Sequence, residues 1–401
     1  MAKTLMAVDA GTGSVRAVLF SLDGEQLGCV QQEWTHKEDP RYPGSMDFDW
    51  VHNWELARGC IRGVIEQTGV DPHDIAAVST TCMREGIVLY DKDGREIWAC
   101  ANVDARSDDE VAQLVHMNPE LEKQIYRESG QTYALGALPR LFWVKNKIPE
   151  VYEKTALCTM FNDWLIYKMT GVFSSEPSNA CTTGIFDLKA RDWDDKIAAS
   201  IGLKTGIFPK MYECGTIVAE VSAKGAEQTG LAEGTPVVAG GGDAQLGCVG
   251  VGVVDANQAA IFGGSFWQYE YNTDEAKTDE HCRVRVNCHS VPGIWQYEAL
   301  AFKPGMVMRW YRDAFCQYEK ELAKTTGRDP YDLMNEKAKD IPAGCYGMMC
   351  AFSDVMNYIS WRHASPTFTN FDFDPEKFNR YTFYRAIMEN TAMVTYGHMQ
   401  L

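Results

Sequence analysis

The chain opens with two short apolar runs, around Met6-Ala7-Val8 and Ala17-Val18-Leu19-Phe20, joined by a glycine-rich turn. Asp23-Gly24 marks a second hairpin turn beyond them. This pattern predicts an antiparallel meander. It argues against a Rossmann or P-loop reading of the glycines, because both need a helix directly after the glycines, and here an apolar strand follows. Further on, Val51, Trp54, Ala57, Ile61 and Val64 recur at three- and four-residue steps and predict a helix over 50–66. Asp47 and Asp49 suit its N-terminal end.

The alternation continues into both halves. IAAVST and Gly86 to Tyr90 read as strands, the second turned at Lys92-Asp93-Gly94 into Ile97-Trp98-Ala99. Helical patterns follow at 108–126, 139–147 and 156–170, the last stopped at Thr170-Gly171. Thr235 to Ala239 reads as a buried strand running into Gly240-Gly241-Gly242-Asp243. Ala259 to Phe262 is a further strand. It meets Gly263-Gly264-Ser265 and continues as Phe266 to Tyr269, echoing the opening of the chain as a weak internal duplication. Helical stretches at 303–324 and 381–396 complete the second half. Two mixed α/β halves, each opening strand–glycine turn–strand, imply a cleft in which two facing turns hold a polyphosphate through backbone N–H groups. That arrangement resembles the two-domain actin-like ATPase and sugar kinase (ribonuclease H-like) fold, with expected domains at 1–253 and 254–401.

Composition changes the picture little. A chain of 401 residues is long enough for two cores. Its net charge of −17 disfavours nucleic acid as the main partner. The N-terminal apolar run is cut short by Asp9, unlike a signal peptide, and no apolar run is long enough to span a bilayer. The 13 scattered cysteines, without a CxxC pair, suit reduced thiols in the cytoplasm. His281-Cys282 and Cys288-His289 bracket RVRVN, whose Arg283 to Val286 alternate like a strand. At about 3.3 Å per residue that strand holds the two cysteines roughly 20 Å apart, beyond the reach of one tetrahedral ion.

Four constellations can carry chemistry. In Asp9-Ala10-Gly11-Thr12-Gly13-Ser14, with Arg16 beyond, the glycines admit phosphate oxygens, the hydroxyls donate, and Asp9 suits Mg2+; an ordinary hairpin turn is the alternative. In Gly240-Gly241-Gly242-Asp243-Ala244-Gln245 the glycines let a ligand approach a carboxylate that can accept a hydroxyl proton; the alternative is a glycine-rich bend between core strands. Arg84-Glu85, ending a buried strand, can hydrogen-bond a polyol or carbonyl, or form a surface ion pair. In WACANVDAR, Asn102, Asp104 and Arg106 can line a sugar site with Trp98 as its wall; equally, Trp98 packs in the core and Asp104 caps the next helix.

Together DAGTGSVRAV, MREG, LPRLFWVKNK, DWLIYKMTG, SNACTTGIFDL with Trp193, GGGDAQLG and FGGSFW resemble the FGGY carbohydrate kinase family over essentially the whole chain. Within it, MREGIVLY, IWACANVDAR, EPSNACTTG, MVMRWYRDAFC and WRHASPTF are most similar to members that act on the autoinducer-2 precursor, 4,5-dihydroxy-2,3-pentanedione. The resemblance implies ATP-dependent phosphorylation of a small linear carbohydrate at a primary hydroxyl, in the cytoplasm, with ATP and Mg2+ as cofactors. A pentulose such as xylulose or ribulose is the alternative acceptor. It implies Asp243 as catalytic base and Arg84, Glu85, Asp104, Asp243 and Gln245 around the substrate. Gly11, Thr12, Gly13, Ser14, Arg16, Gly263, Gly264 and Ser265 would meet the ATP phosphates, and Asp9 and Asp243 the metal, partly through water. The implied partners are the carbohydrate and, at the level of assembly, a second copy of the chain; no nucleic acid or membrane is implied. Family members continue with a Gly-rich loop and an adenosine-embracing segment after a helix like 381–396. The second domain is therefore expected to be incomplete, and a non-catalytic carbohydrate-binding module is a further alternative.

Overall fold

The computed structural model describes residues 3–134, 136–264, 266–301, 304–352 and 366–401. They divide into two compact units. The first comprises residues 1–258, 272–280 and 286–296; the second comprises 259–271, 281–285 and 297–401.

The first unit is built on a six-stranded sheet. In spatial order its strands are Ile217–Glu220, Pro236–Gly242, Ile75–Cys82, Thr4–Ala10, Ser14–Ser21 and Gln26–Glu33. Thr4–Ala10 pairs antiparallel with Ser14–Ser21, as the meander predicts, and parallel with Ile75–Cys82. Its even positions Thr4, Met6, Val8 and Ala10 are buried, the period-2 signature of a sheet face packed on a core. The helix Trp50–Thr68 adds to that core with Trp54, Ala57, Cys60, Ile61 and Val64. Val51, counted in its apolar stripe, is exposed in the first turn. Asp49 caps the helix by accepting from the His52 amide at 3.0 Å, and Gly69 closes it in the left-handed conformation.

Several element boundaries differ from the sequence expectation. The pattern over 156–170 divides into a strand, Leu157–Met160, and a helix, Phe161–Thr170. The strand forms because its main-chain groups pair with Ile87–Tyr90, Ile87 facing Met160. The 108–126 pattern is two helices, Asp108–Met117 and Leu121–Ser129, separated at Asn118-Pro119, where Asn118 is extended as a residue before proline prefers. The 303–324 pattern breaks at Cys316, whose φ of −116° is not helical, into Pro304–Phe315 and Gln317–Thr326. The strand expected across RVRVN occupies Arg285–Cys288.

In the second unit Ala259–Gly263 and Trp267–Thr273 form an antiparallel hairpin, Gly263 facing Trp267. It lies at one edge of a four-stranded sheet that continues with Trp295–Ala301 and Arg285–Cys288. A separate core gathers Val307, Tyr311, Met334, Phe352, Tyr384 and Ile387, with the helix Arg380–Met399 contributing its last two. All 13 cysteines are free thiols. No helix among the described residues is long and apolar enough to cross a membrane.

Candidate functional site

The glycines before Asp243 do not form a bend. They belong to the strand Pro236–Gly242, beside Ile75–Cys82 in parallel register, with Gly241 facing Thr81 and Gly242 facing Cys82. A Cβ on Gly240 would lie 1.5 Å from the Thr80 carbonyl oxygen. One on Gly241 would lie 2.7 Å from Ser178 Oγ, and one on Gly242 2.8 Å from Arg84 Cδ. The sequence reading, in which the glycines make room for a ligand, is corrected: the space they leave is filled by the protein itself.

That close packing delivers Asp243 to the first position of the helix Asp243–Gly250, where Oδ1 accepts from the Ala244 amide at 2.9 Å. Arg84 Nε lies 3.7 Å from the same oxygen. The Arg84 side chain is 5% exposed and that of Asp243 51%. Crowding by protein raises the Asp243 carboxyl; Arg84 opposes this, and the charges of Glu85 and Asp9 add to it, leaving it at about 6. A carboxyl so poised is ionised at neutral pH yet basic enough to take a proton from a hydroxyl whose charge is building.

Glu85 sits beside it in the left-handed region, φ 67°. The next residue must be glycine, since a Cβ on Gly86 would fall 2.2 Å from the Phe161 ring. Arg84 and Glu85 are both buried at the strand end. They are not a surface ion pair, which removes that alternative.

The first glycine turn is held from one side. Trp34 Nε1 donates to the Gly11 carbonyl at 3.0 Å, His36 Nε2 contacts the Thr12 carbonyl at 2.7 Å, and the Trp34 amide donates to Gly13 at 3.1 Å. In a trans peptide the N–H points opposite to the C=O, so the Thr12 and Gly13 amides face away from Trp34 and His36. Thr12 and Gly13 are exposed there, and paired amides of this kind form an anion-binding concavity. Asn102 Nδ2 donates to Thr12 Oγ1 at 3.0 Å. Asp9 and Arg16 face each other across the hairpin, and Arg16 Nη2 lies 2.6 Å from Asp9 Oδ2. Asp9 therefore already has one cationic partner.

Two expected substrate residues are enclosed by protein. Asp104 accepts from Arg106 Nε at 2.8 Å and from the Met46 amide at 2.6 Å, with no side-chain surface exposed. It does not cap the following helix, whose N-cap is Ser107. Arg106 lies over the rings of Trp98 and Trp143, 5.2 and 4.9 Å from their centroids, so Trp98 serves packing. Gln245 is fully buried and donates to Gln296 Oε1 at 2.8 Å. In the second unit the Gly264 amide donates to Phe266 O at 2.8 Å, and a Cβ on Gly263 would meet the Trp267 ring at 2.3 Å. Ser265 lies outside the described residues.

Sequence reasoning missed a supporting layer. Ser178 Oγ accepts from the Gly242 amide at 3.0 Å and donates to Glu176 at 2.9 Å. Glu176 also accepts from the Ser178 and Asn179 amides. Burial pushes its carboxyl up, those donors oppose, and it stands at about 7. Glu-Pro-Ser at a helix start was the available signal.

The described site is a mixed α/β chain with an exposed glycine turn, a carboxylate raised to about 6 and a neighbouring buried Arg-Glu pair. The solved xylulose kinase of Rhodospirillum rubrum matches the fold with a TM-score of 0.84 over 99% of this chain and 78% of that one, at 22% identity. The model of the FGGY family of carbohydrate kinases, N-terminal domain, matches residues 4–250, and the chain belongs to that family. It is 48% identical to an autoinducer-2 kinase of Klebsiella pneumoniae over 98% of this chain and 74% of the relative. It is 47% identical to one of Salmonella paratyphi B over 99% and 75%. The chain is thus a carbohydrate kinase by family, with ATP as phosphoryl donor.

Proposed function

We propose that this chain transfers the γ-phosphoryl group of ATP to the primary hydroxyl of 4,5-dihydroxy-2,3-pentanedione inside the cell. The likeness to autoinducer-2 kinases at 47–48% identity over nearly its whole length carries the choice of acceptor. In this reading Arg84 and Glu85 bind the acceptor's oxygens, while Asp104 and Gln245 brace the loop and helix around it. Asp243 takes the proton as the hydroxyl oxygen bonds to the γ-phosphorus; the bond to the bridging oxygen breaks and ADP leaves. The amides and hydroxyls of Gly11 to Ser14, with Arg16, receive phosphate oxygens, and Gly263, Gly264 and Ser265 do so from the second domain. Residues 1–253 then carry acceptor, base and first phosphate turn, and 254–401 the second turn.

Asp9 and Asp243 suit Mg2+, which favours one or two carboxylates together with substrate phosphates. Asp9 is near enough to Asp243 to raise its carboxyl, so the two acids occupy one electrostatic neighbourhood. When bound, the ion supplies neutralisation of phosphate charge.

The test is phosphorylation by the purified chain, followed by phosphorus NMR and a coupled ADP assay, with the pentanedione, xylulose and ribulose in parallel. Preference for the pentanedione by tenfold or more in kcat/KM is expected, about 1.4 kcal/mol of discrimination. Preference for a pentulose sinks the acceptor assignment. Calorimetric carbohydrate binding without turnover or ATP binding would make the chain a binding module.

A further inference from the structure

Arg140 lies on the helix Ala137–Lys147 and is 1% exposed. Its guanidinium donates only to main-chain oxygens among the described residues. Nη1 reaches the Glu85 carbonyl; Nη2 reaches the Asn102 carbonyl at 2.7 Å and the Asp104 carbonyl at 2.8 Å. A buried cation facing neutral acceptors is a costly way to fill space. Its planar fork, however, can fix several carbonyls at once.

The carbonyls it gathers come from two separate segments. One belongs to Glu85, held at φ 67°, a conformation that a glutamate rarely adopts. The others begin the segment whose Asn102 side chain reaches Thr12 on the phosphate turn. A single guanidinium therefore sets the acceptor edge in register with the phosphate turn.

We infer that Arg140 is a positioning residue for phosphoryl transfer, holding Glu85 in its left-handed conformation and tying it through Asn102 to Thr12. This rests on the reading of Arg84-Glu85 as the acceptor edge. It contrasts with a plain structural bolt, whose loss would lower stability and leave acceptor affinity unchanged.

The test compares Arg140→Gln and Arg140→Lys with the wild type in the whole chain. The readouts are calorimetry with the pentanedione, acceptor KM and kcat, and amide hydrogen exchange. Arg140→Gln is expected to raise acceptor KM and Kd by about tenfold or more, with a smaller fall in kcat. Exchange is expected to quicken at 84–87 and 101–106, while Thr4–Ala10 and Trp50–Thr68 stay protected. Arg140→Lys should recover part of the affinity, because an ammonium can serve some of the three carbonyls. Unchanged acceptor KM and unchanged exchange in Arg140→Gln overturn the inference, and if Arg140→Gln does not fold, the same outcome in Arg140→Lys overturns it. A wild type that neither binds nor phosphorylates carbohydrate overturns the functional reading, and the acceptor-edge role with it. A wild type that does so, with variants of equal affinity, overturns the Arg140 role alone.

Discussion

Replacing Asp243 with asparagine should abolish turnover and, at the same time, stabilise the folded chain above neutral pH. The carboxyl stands at about 6 in the folded protein against an ordinary value of 3.8. The folded state therefore holds this proton more tightly than the unfolded chain does. That advantage is fully present below about pH 4 and is lost as pH rises through about 6; above that, the ionised carboxylate strains the fold. Fully buried, a carboxyl moved from 3.8 to about 6 would correspond to about 3 kcal/mol, but this side chain is half exposed and solvent screens its charge, so on the order of 1 kcal/mol is the reasonable size. Urea denaturation at pH 8 should show the variant more stable by that amount, with the difference shrinking toward pH 5. Wild-type kcat/KM should fall about tenfold per unit below pH 6, and the variant should lose about a thousandfold or more, at the upper end of what base catalysis contributes. A variant less stable than wild type at pH 8 would refute the electrostatic reasoning. One that keeps more than about a tenth of the activity would refute the base assignment.

Gly240→Ala places a methyl carbon 1.5 Å from the Thr80 carbonyl oxygen, and backbone cannot yield as a side-chain tip can. A loss of about 3 kcal/mol or more is expected in urea denaturation, at or above the upper end of what overpacking usually costs. Ser178→Ala leaves the buried Gly242 amide without its acceptor. It should cost about 1–3 kcal/mol by the same measurement and lower kcat more than acceptor affinity, since the disturbed residue precedes Asp243. Ile61→Ala opens the core beneath the sheet, where Ile61 has no exposed surface. It should cost about 2–5 kcal/mol, with KM unchanged in the material that remains folded.

The elements that repeat a strong period are legible in the sequence itself. The opening meander, the helix expected over 50–66 and found at Trp50–Thr68, and the paired strands around Gly263 all follow from alternation of two or from steps of three and four. Boundaries are not, for reasons that lie outside the local pattern. Leu157–Met160 has the composition of the helix that follows it; only the partner strand Ile87–Tyr90, some seventy residues earlier, makes it extended. The break at Asn118-Pro119 was readable from the proline, and the break at Cys316 from no single residue.

The candidate site divides along a similar line. Asp243, Arg84-Glu85 and the first glycine turn stand out because an acid after glycines, or a charged pair after an apolar strand, conflicts with plain packing. What holds them is mostly hidden in sequence, because it consists of ordinary polar residues whose partners are distant in the chain; Glu-Pro-Ser at a helix start is the one local signal. Trp34 and His36 turn the carbonyls of the first loop away from its open side, Ser178 receives the amide before Asp243, and Arg140 bridges Glu85 to Asn102. The glycine run shows how the two levels meet. Its residues look like a ligand cradle, yet each missing side chain is the place of Thr80, Ser178 or Arg84. The absence of side chains at 240–242 lets Arg84 and the Ser178 layer close on the backbone just before Asp243; there the burial that raises the carboxyl's proton affinity and the Arg84 charge that lowers it act on the same group.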